Sequence, residues 1–430
     1  ALDGWPAPEA REDWLGRLRL AARAITALMG VATVALTWAV ARRVAGRRGG
    51  RAAAATLALA PGFAAHSHFA TVDVPSIFWM MLGVLLALRA HEAPTWTRAA
   101  LAGLAFGLAA ATKYPAGAGA VLIAASAVVH ARRGAGGAAR RLAIGGGVGV
   151  VLGFLAGNPY ALLQPQRFAR EFVQTEVLQG SYAGDQGLGF VPHAFNLLEL
   201  SGPLVFVALA AGFIALTNRA VVRRDAAAAG VVVAIVVFYL MIGRMHFHPA
   251  RYALPLLPLL AVGAGVAIDA LWRRVRVRRL VPGALAVAFV LGAVFLLANL
   301  NAFARDDRVA ARAWIEANVP ATASIERSPN YAVDLPDDYV AVRPMPYLFE
   351  RASLALARRH PLLRWLGADD DASRDVSPPR EPDDVGLEPL LDRRPDVLVL
   401  SERSFARFLG PVRGETFPRQ HAMYHALLDG

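Results

Sequence analysis

The stretch His66-Ser67-His68-Phe69-Ala70-Thr71-Val72-Asp73-Val74-Pro75 places a carboxylate and two imidazoles between two apolar runs, Ala52–Ala65 and Ser76–Ala90. An ionisable side chain costs roughly 2–3 kcal/mol at the centre of a membrane helix and less toward its ends. A carboxylate kept at that cost is suited to take a proton from a hydroxyl, so Asp73 is the first candidate catalytic residue. Capping competes as an explanation, because Asp ahead of Val74 and Pro75 starts a helix well. His66 and His68 are candidate ligands for a metal such as zinc or manganese, or candidate contacts to an acceptor. His246 and His248 repeat the His-x-His spacing. On a helix end that spacing turns the two rings apart, which favours structural or interfacial roles over joint ligation.

Lys113 is the sole lysine in a chain whose lysines and arginines number 45. It ends a short apolar run, Ala99–Lys113, where an ammonium below headgroup level calls for an anion such as a lipid phosphate; snorkelling is the simpler alternative. Arg251-Tyr252 opens another run, followed by Leu254-Pro255-Leu256-Leu257-Pro258, and Arg244 is close in sequence. A guanidinium there suits two-point phosphate binding, and interface anchoring explains it equally well. The stretch Asn158–Ala194 carries Tyr160, Gln164, Arg167, Arg170, Glu171, Glu176, Tyr182, Asp185 and His193 among four glycines. It reads as an ordinary solvated loop, with a mobile lid as the functional alternative.

The elements that must hold these groups are membrane helices. The chain is 56% hydrophobic with a mean hydropathy of +0.41, above the usual range for soluble domains. Ten apolar runs follow an amphipathic start: Ala21–Ala45, Ala52–Ala70, Pro75–Ala90, Ala99–Lys113, Ala116–His130, Leu142–Tyr160, Phe195–Thr217, Ala226–Ile242, Ala253–Trp272 and Leu280–Asn301. The net charge of +12 is spread as short arginine clusters between runs, which writes topology rather than a nucleic-acid surface. With no cysteine there is no disulfide and no thiolate metal site.

Arginine falls in every second connection: Arg42, Arg43, Arg47, Arg48 and Arg51; Arg89 and Arg98; Arg132, Arg133, Arg140 and Arg141; Arg219, Arg223 and Arg224; Arg273, Arg274, Arg276, Arg278 and Arg279. Those connections are expected inside the cell. His66–Pro75, Lys113–Pro115, Asn158–Ala194, Gly243–Tyr252 and both termini then lie outside. The alternation also demands a hairpin at Lys113-Tyr114-Pro115, because one kinked helix would put Arg98 and Arg132 on opposite sides. Residues 1–20 read as the interfacial end of a first outer loop in an N-terminally truncated chain, and residues 21–301 as the membrane domain.

Beyond Asn301 the chain becomes charged and proline-rich. Residues 302–430 read as a small extracytoplasmic α/β domain, with a helix over Arg308–Asn318, strands at Ala323–Glu326 and Asp396–Ser401, a helix over Arg403–Leu409 and an acidic loop at Asp369–Asp384. The fold class is thus an α-helical polytopic membrane protein of about ten helices with a small C-terminal α/β domain.

These motifs occur in a familiar order: Ala41-Arg42-Arg43, Leu59-Ala60-Pro61, the Ser67–Pro75 stretch, Gly107-Leu108-Ala109 through Thr112-Lys113-Tyr114, Asn158-Pro159-Tyr160, and Arg251-Tyr252-Ala253-Leu254-Pro255 with Pro258. Over about Ala21–Asn301 the chain resembles bacterial membrane glycosyltransferases of the GT-C fold, in the protein O-mannosyltransferase and aminoarabinose transferase clan (glycosyltransferase family 39 and kin). The resemblance implies inverting transfer from a polyprenyl-phosphate sugar donor to a lipid, glycan or protein acceptor at the outer face of the bacterial plasma membrane. It implies that Asp73 is the second acidic residue of the site, that Thr112-Lys113 with Tyr114 holds the donor phosphate, and that Arg251 and Tyr252 lie beside them. Some members hold a divalent metal in the same cavity, which would fall to the histidines here. The family's first-loop acidic pair has no clear match among Asp3, Glu9, Glu12 and Asp13. A transporter or lipid flippase is the rival reading; against it stand the lack of repeats and the scarcity of charge in mid-helix.

Overall fold

A computed structural model describes residues 8–172, 188–245, 248–274, 281–304, 307–328, 333–336, 338–339, 341–344, 386–401, 405, 409 and 418–429. The chain forms two compact units: Ala1–Leu163 with Gly187–Asn301, and Gln164–Gln186 with Ala302–Gly430.

Among the described residues the first unit is built of helices, and each of the ten apolar runs falls largely within them. α1 (Pro8–Ala58) bends at Gly46, whose φ of 76° is open to glycine at little cost. Beyond that turn the chain folds back, so that Gly50 lies against the Trp38 carbonyl and the Arg42 side chain. The second run is broken between Ala58 and Pro61, where α2 (Pro61–Ser67) begins with proline in its first turn. α3 (Asp73–Glu92) and α4 (Trp96–Thr112) follow. Next come a 3-10 stretch Tyr114–Ala120 and α5 (Val121–Arg132), and then α6 (Gly136–Gly157) with a π turn at Arg141–Gly145. The seventh run is split by Gly202 into α7 (Phe190–Ser201) and α8 (Pro203–Val222). α9 (Ala226–Gly243), α10 (Leu256–Trp272) and α11 (Val281–Ala304) complete the unit.

The expected hairpin is present: Gly117 packs on Ala110 and Gly119 on Phe106, as antiparallel arms require. α4 and α6 touch backbone to backbone. A Cβ on Gly103 would sit 2.1 Å from the Gly146 carbonyl oxygen, and one on Gly149 would sit 2.2 Å from that of Ala100. Close approach through small residues is how helices associate where lipid removes the hydrophobic drive. The core runs along α1, α3, α4, α9 and α10, with Phe106, Ile77, Met81 and Leu257 almost fully enclosed. Outward-facing Leu28, Val31 and Ile214 are about 70% exposed, an apolar surface that suits lipid. Among the described residues six helices are long and apolar enough to cross a membrane, and Leu256–Trp272 and Ala286–Asn301 are shorter apolar helices. The protein is a multi-pass membrane protein.

Groups from alternate connections gather at opposite ends of this unit. From the arginine-rich connections, Arg43 pairs with Glu92, His130 meets the His91 carbonyl, Arg141 reaches the Pro94 carbonyl and Arg48 lies over Trp272. From the arginine-poor ones, Asp73, Lys113 and Tyr252 meet each other.

The second unit carries α12 (Asp307–Asn318), α13 (Leu387–Arg393), α14 (Pro418–Asp429) and three parallel strands in the order β2-β1-β3. β1 is Ile325–Arg327, β2 Val342–Pro344 and β3 Val397–Val399, with Ile325 aligned to both Val342 and Val397. The two expected strands are present but shorter, and β2 was not foreseen. Ile315, Val319, Ile325 and Tyr339 form its core, and Arg393 grips the buried Glu326 carboxylate at 2.7 and 2.9 Å. The expected loop Asp369–Asp384 and most of Arg403–Leu409 lie outside the described residues.

Candidate functional site

Asp73 is the first residue of α3 and does not cap it. Val72 occupies the N-cap without a side-chain cap bond, and the Asp73 carboxylate turns to Lys113 instead. The Lys113 Nζ lies 2.5 Å from Asp73 Oδ1, with side-chain exposures of 22% and 6%. The anion beside the ammonium is therefore the protein's own carboxylate. Lys113 reaches it because α4 stops at Thr112 and the backbone turns extended, with φ −157° and ψ 115°, ahead of Tyr114-Pro115. Beneath the ammonium lies the Tyr252 ring, 4.8 Å from Nζ to the ring centroid, a cation–π contact. Tyr252 belongs to the 3-10 turn Ala250–Ala253, which Pro249 leads into α10.

His66, near the end of α2, completes the cluster. Burial lowers its pKa chiefly; the Asp73 charge opposes that shift, while Arg251 and Lys113 reinforce it. All three charges thus act on one imidazole. Its Nδ1 is buried with no hydrogen-bond partner among the described residues, and its ring meets Phe69 edge-on at 5.4 Å. Arg251 is exposed and makes no ion pair among the described residues. Asp73, Lys113, Arg251, Tyr252 and His66 therefore converge.

The other candidates do not join them. Tyr114 packs its ring toward Phe154, 6.4 Å away. His68 is exposed while His66 is half-buried, in line with rings turned apart. Thr112 spends its hydroxyl on the Leu108 carbonyl. His246 lies outside the described residues. His248 is engaged elsewhere, its ring edge-on to His193 at 5.7 Å. Among the described residues no three histidine or acidic side chains are grouped to hold a metal ion. The divalent metal expected from the histidines therefore has no ligand set there. Of the Asn158–Ala194 stretch, Glu176, Tyr182 and Asp185 lie outside the described residues, and Arg167 pairs with Glu171 at 2.8 Å.

Sequence reading placed His193 in the Asn158–Ala194 stretch and did not single out Asn196, yet the two side chains meet at 3.1 Å. His193 is fully buried on α7, not part of a solvated loop. The available signal was the His-x-x-Asn spacing at the start of an apolar run, which puts both on one helix face.

Comparisons with known proteins bear on the geometry. Residues 15–156, about a third of the chain, match the family described as dolichyl-phosphate-mannose-protein mannosyltransferase. The structure resembles ArnT from Cupriavidus metallidurans bound to undecaprenyl phosphate, with a TM-score of 0.57 at 16% identity, covering 80% of this chain and 74% of that one. The fold is the GT-C fold. Apo ArnT from the same organism gives 0.46 at 21% identity, over 62% of this chain and 48% of that one. The oligosaccharyltransferase AglB from Archaeoglobus fulgidus, in complex with an inhibitory peptide and a dolichol-phosphate, gives 0.44 at 16% identity, over 70% and 47%. No curated protein matches the sequence. The matched family segment contains both Asp73 and Lys113, while Arg251 and Tyr252 lie beyond it.

Proposed function

We propose that the protein is a glycosyltransferase that moves a sugar from a polyprenyl-phosphate donor to an acceptor hydroxyl at the outer face of the bacterial plasma membrane. The observation that carries this reading is the cluster itself: one buried carboxylate, one ammonium and one guanidinium without an ion pair among the described residues, on helix ends at a single end of a membrane bundle. A lipid phosphate keeps its tail in the bilayer and brings its charge to such a place.

In the reaction the bond between the sugar's anomeric carbon and the phosphate oxygen breaks, and the acceptor oxygen bonds that carbon. The phosphate leaves with the electron pair, and its growing negative charge is met by Lys113 and Arg251. The acceptor's proton passes to a carboxylate, the role suited to Asp73. An ammonium presents three N–H donors, so Lys113 can keep Asp73 and still engage a phosphate. Tyr252 fixes the ammonium from below. His66, whose burial favours the neutral imidazole, is suited to contact the acceptor. Likeness to a family described as mannosyltransferases and to an ArnT bound to undecaprenyl phosphate supports the donor class; the arginine alternation supports the outward orientation.

The test is transfer of label from polyprenyl-phosphate sugars to a panel of lipid, glycan and peptide acceptors by the purified full-length protein in nanodiscs. Asp73→Asn and Lys113→Met are each expected to abolish transfer. Normal transfer by both variants overturns the site, and absence of transfer to every acceptor by wild-type protein that also fails to bind the donor overturns the function.

A further inference from the structure

Arg251 and Tyr252 sit on a four-residue 3-10 turn, flanked by bonds from the Tyr252 amide to the Pro249 carbonyl and from the Leu254 amide to that of Arg251, at 2.9 and 3.3 Å. Besides the Lys113 contact at Tyr252, a further hold on the turn comes from α7. The Asn196 amide nitrogen is 3.0 Å from the His248 carbonyl oxygen and 3.1 Å from His193 Nδ1. A carbonyl only accepts, so the group facing it is the amide NH2, which settles the orientation of Asn196. Its second hydrogen is then donated to His193, whose Nδ1 must be unprotonated, leaving the ring proton on Nε2. Burial agrees, pushing the His193 pKa down to about 4 with help from His248.

The imidazoles of His193 and His248 meet edge-on, and the His248 Nε2 lies 2.9 Å from the Met245 carbonyl. Gly189 closes the joint: its amide donates to the Gly243 carbonyl at 2.8 Å, and a Cβ there would come within 2.9 Å of both imidazoles. Tyr239 fastens the other side through a 2.6 Å bond to the Phe190 carbonyl. His193 is fully buried and lies three residues from Asn196 on one helix. Packing and hydrogen bonds thus run from α7 through His248 to the turn.

We propose that Asn196, oriented by a neutral His193, is a positioning residue that clamps the Ala250–Ala253 turn so that Arg251 and Tyr252 are set for the phosphate of a polyprenyl lipid. The clamp's effect on affinity rests on the donor reading above; its hold on the turn does not. Asn196→Asp keeps the shape and removes both donors, and Asn196→Leu removes them without adding charge.

The experiment measures, in nanodiscs, hydrogen exchange across residues 250–254 and the binding of undecaprenyl phosphate. Both variants are expected to exchange the Tyr252 and Leu254 amides at least about tenfold faster and to bind the lipid about tenfold more weakly, the loss of one hydrogen bond to a charged group. Amides in α3 are expected to be unchanged. On an Arg251→Ala background the Asn196 change should cost much less affinity than in wild type, the remainder acting through Tyr252, an outcome that general destabilisation does not produce. Unchanged exchange at the turn, or additive losses in the cycle, overturns the clamp. Faster exchange in a protein whose wild type binds no polyprenyl phosphate overturns the donor reading and leaves the hold on the turn standing.

Discussion

Ion pairs occupy both ends of the helical unit, and they are built differently. At the arginine-rich end, Arg43 grips Glu92 with side-chain exposures of 27% and 54%. There Arg219 meets Asp225, which also caps α9 by accepting from the Ala227 and Ala228 amides. At the other end the pair is Lys113 with Asp73, the carboxylate only 6% exposed, and it stands beside a second cation and an imidazole. The first end uses guanidinium contacts made through a single nitrogen to fasten helix ends where solvent screens them, and such pairs add little stability. The second keeps a compact ammonium on its carboxylate in a partly enclosed place, with positive charge left over. Fastening needs balance, whereas receiving an anion needs an excess.

The largest expected effect separates the two ends directly. Asp73→Asn leaves a half-buried ammonium unpaired, and should lower stability by about 3–5 kcal/mol while removing sugar transfer. Denaturation and transfer assays on one preparation check both. Adding Lys113→Met to that variant should recover most of the stability and none of the transfer.

Next comes acidification. His193 titrates at about 4 in the folded protein against 6.5 when exposed. As pH falls through 6.5 the unfolded chain takes the proton first, so stability drops until about pH 4 and then levels off, a loss of about 3 kcal/mol. Thermal melts across that range should show the slope in wild type and a flatter profile in His193→Gln. A slope untouched by the substitution assigns the acid sensitivity to other groups.

Arg251→Gln should weaken undecaprenyl phosphate binding about tenfold with little change in melting temperature, consistent with one charged contact to a ligand. The smallest effect belongs to the arginine-rich end: Glu92→Gln should cost under about 1 kcal/mol and leave transfer unaltered. A large loss of transfer there would erase the distinction between the ends.

Much of this arrangement can be read from residue order alone, because membrane topology is written in charge. The arginine alternation required a turn at Lys113-Tyr114-Pro115, and Gly117 packed on Ala110 is that turn. It also put Asp73, Lys113 and Arg251 at one end before any distance was known. Patterning was silent where the cause is local backbone or a distant partner. Gly202, with φ of 73°, splits the seventh run at Ser201-Gly202-Pro203, a breaker that reading the run by its apolar residues passed over. Asp73 satisfies every rule for a cap, yet an ammonium forty residues away takes its carboxylate. The His193–His248 contact joins residues 55 positions apart, and composition assigned His193 to a loop. β2 was missed because three residues ending in proline carry no alternation to detect.

The 3-10 winding of Tyr114–Ala120 gives the two arms of the central hairpin different reach. Seven residues wound that way climb about 14 Å, and the twelve of α5 add about 18 Å, enough for a hydrocarbon layer of about 30 Å. The seventeen residues of α4 climb only about 26 Å. Both arms start from the turn at Lys113, so the longer one carries Arg132 about 6 Å farther from that turn than the shorter one carries Trp96.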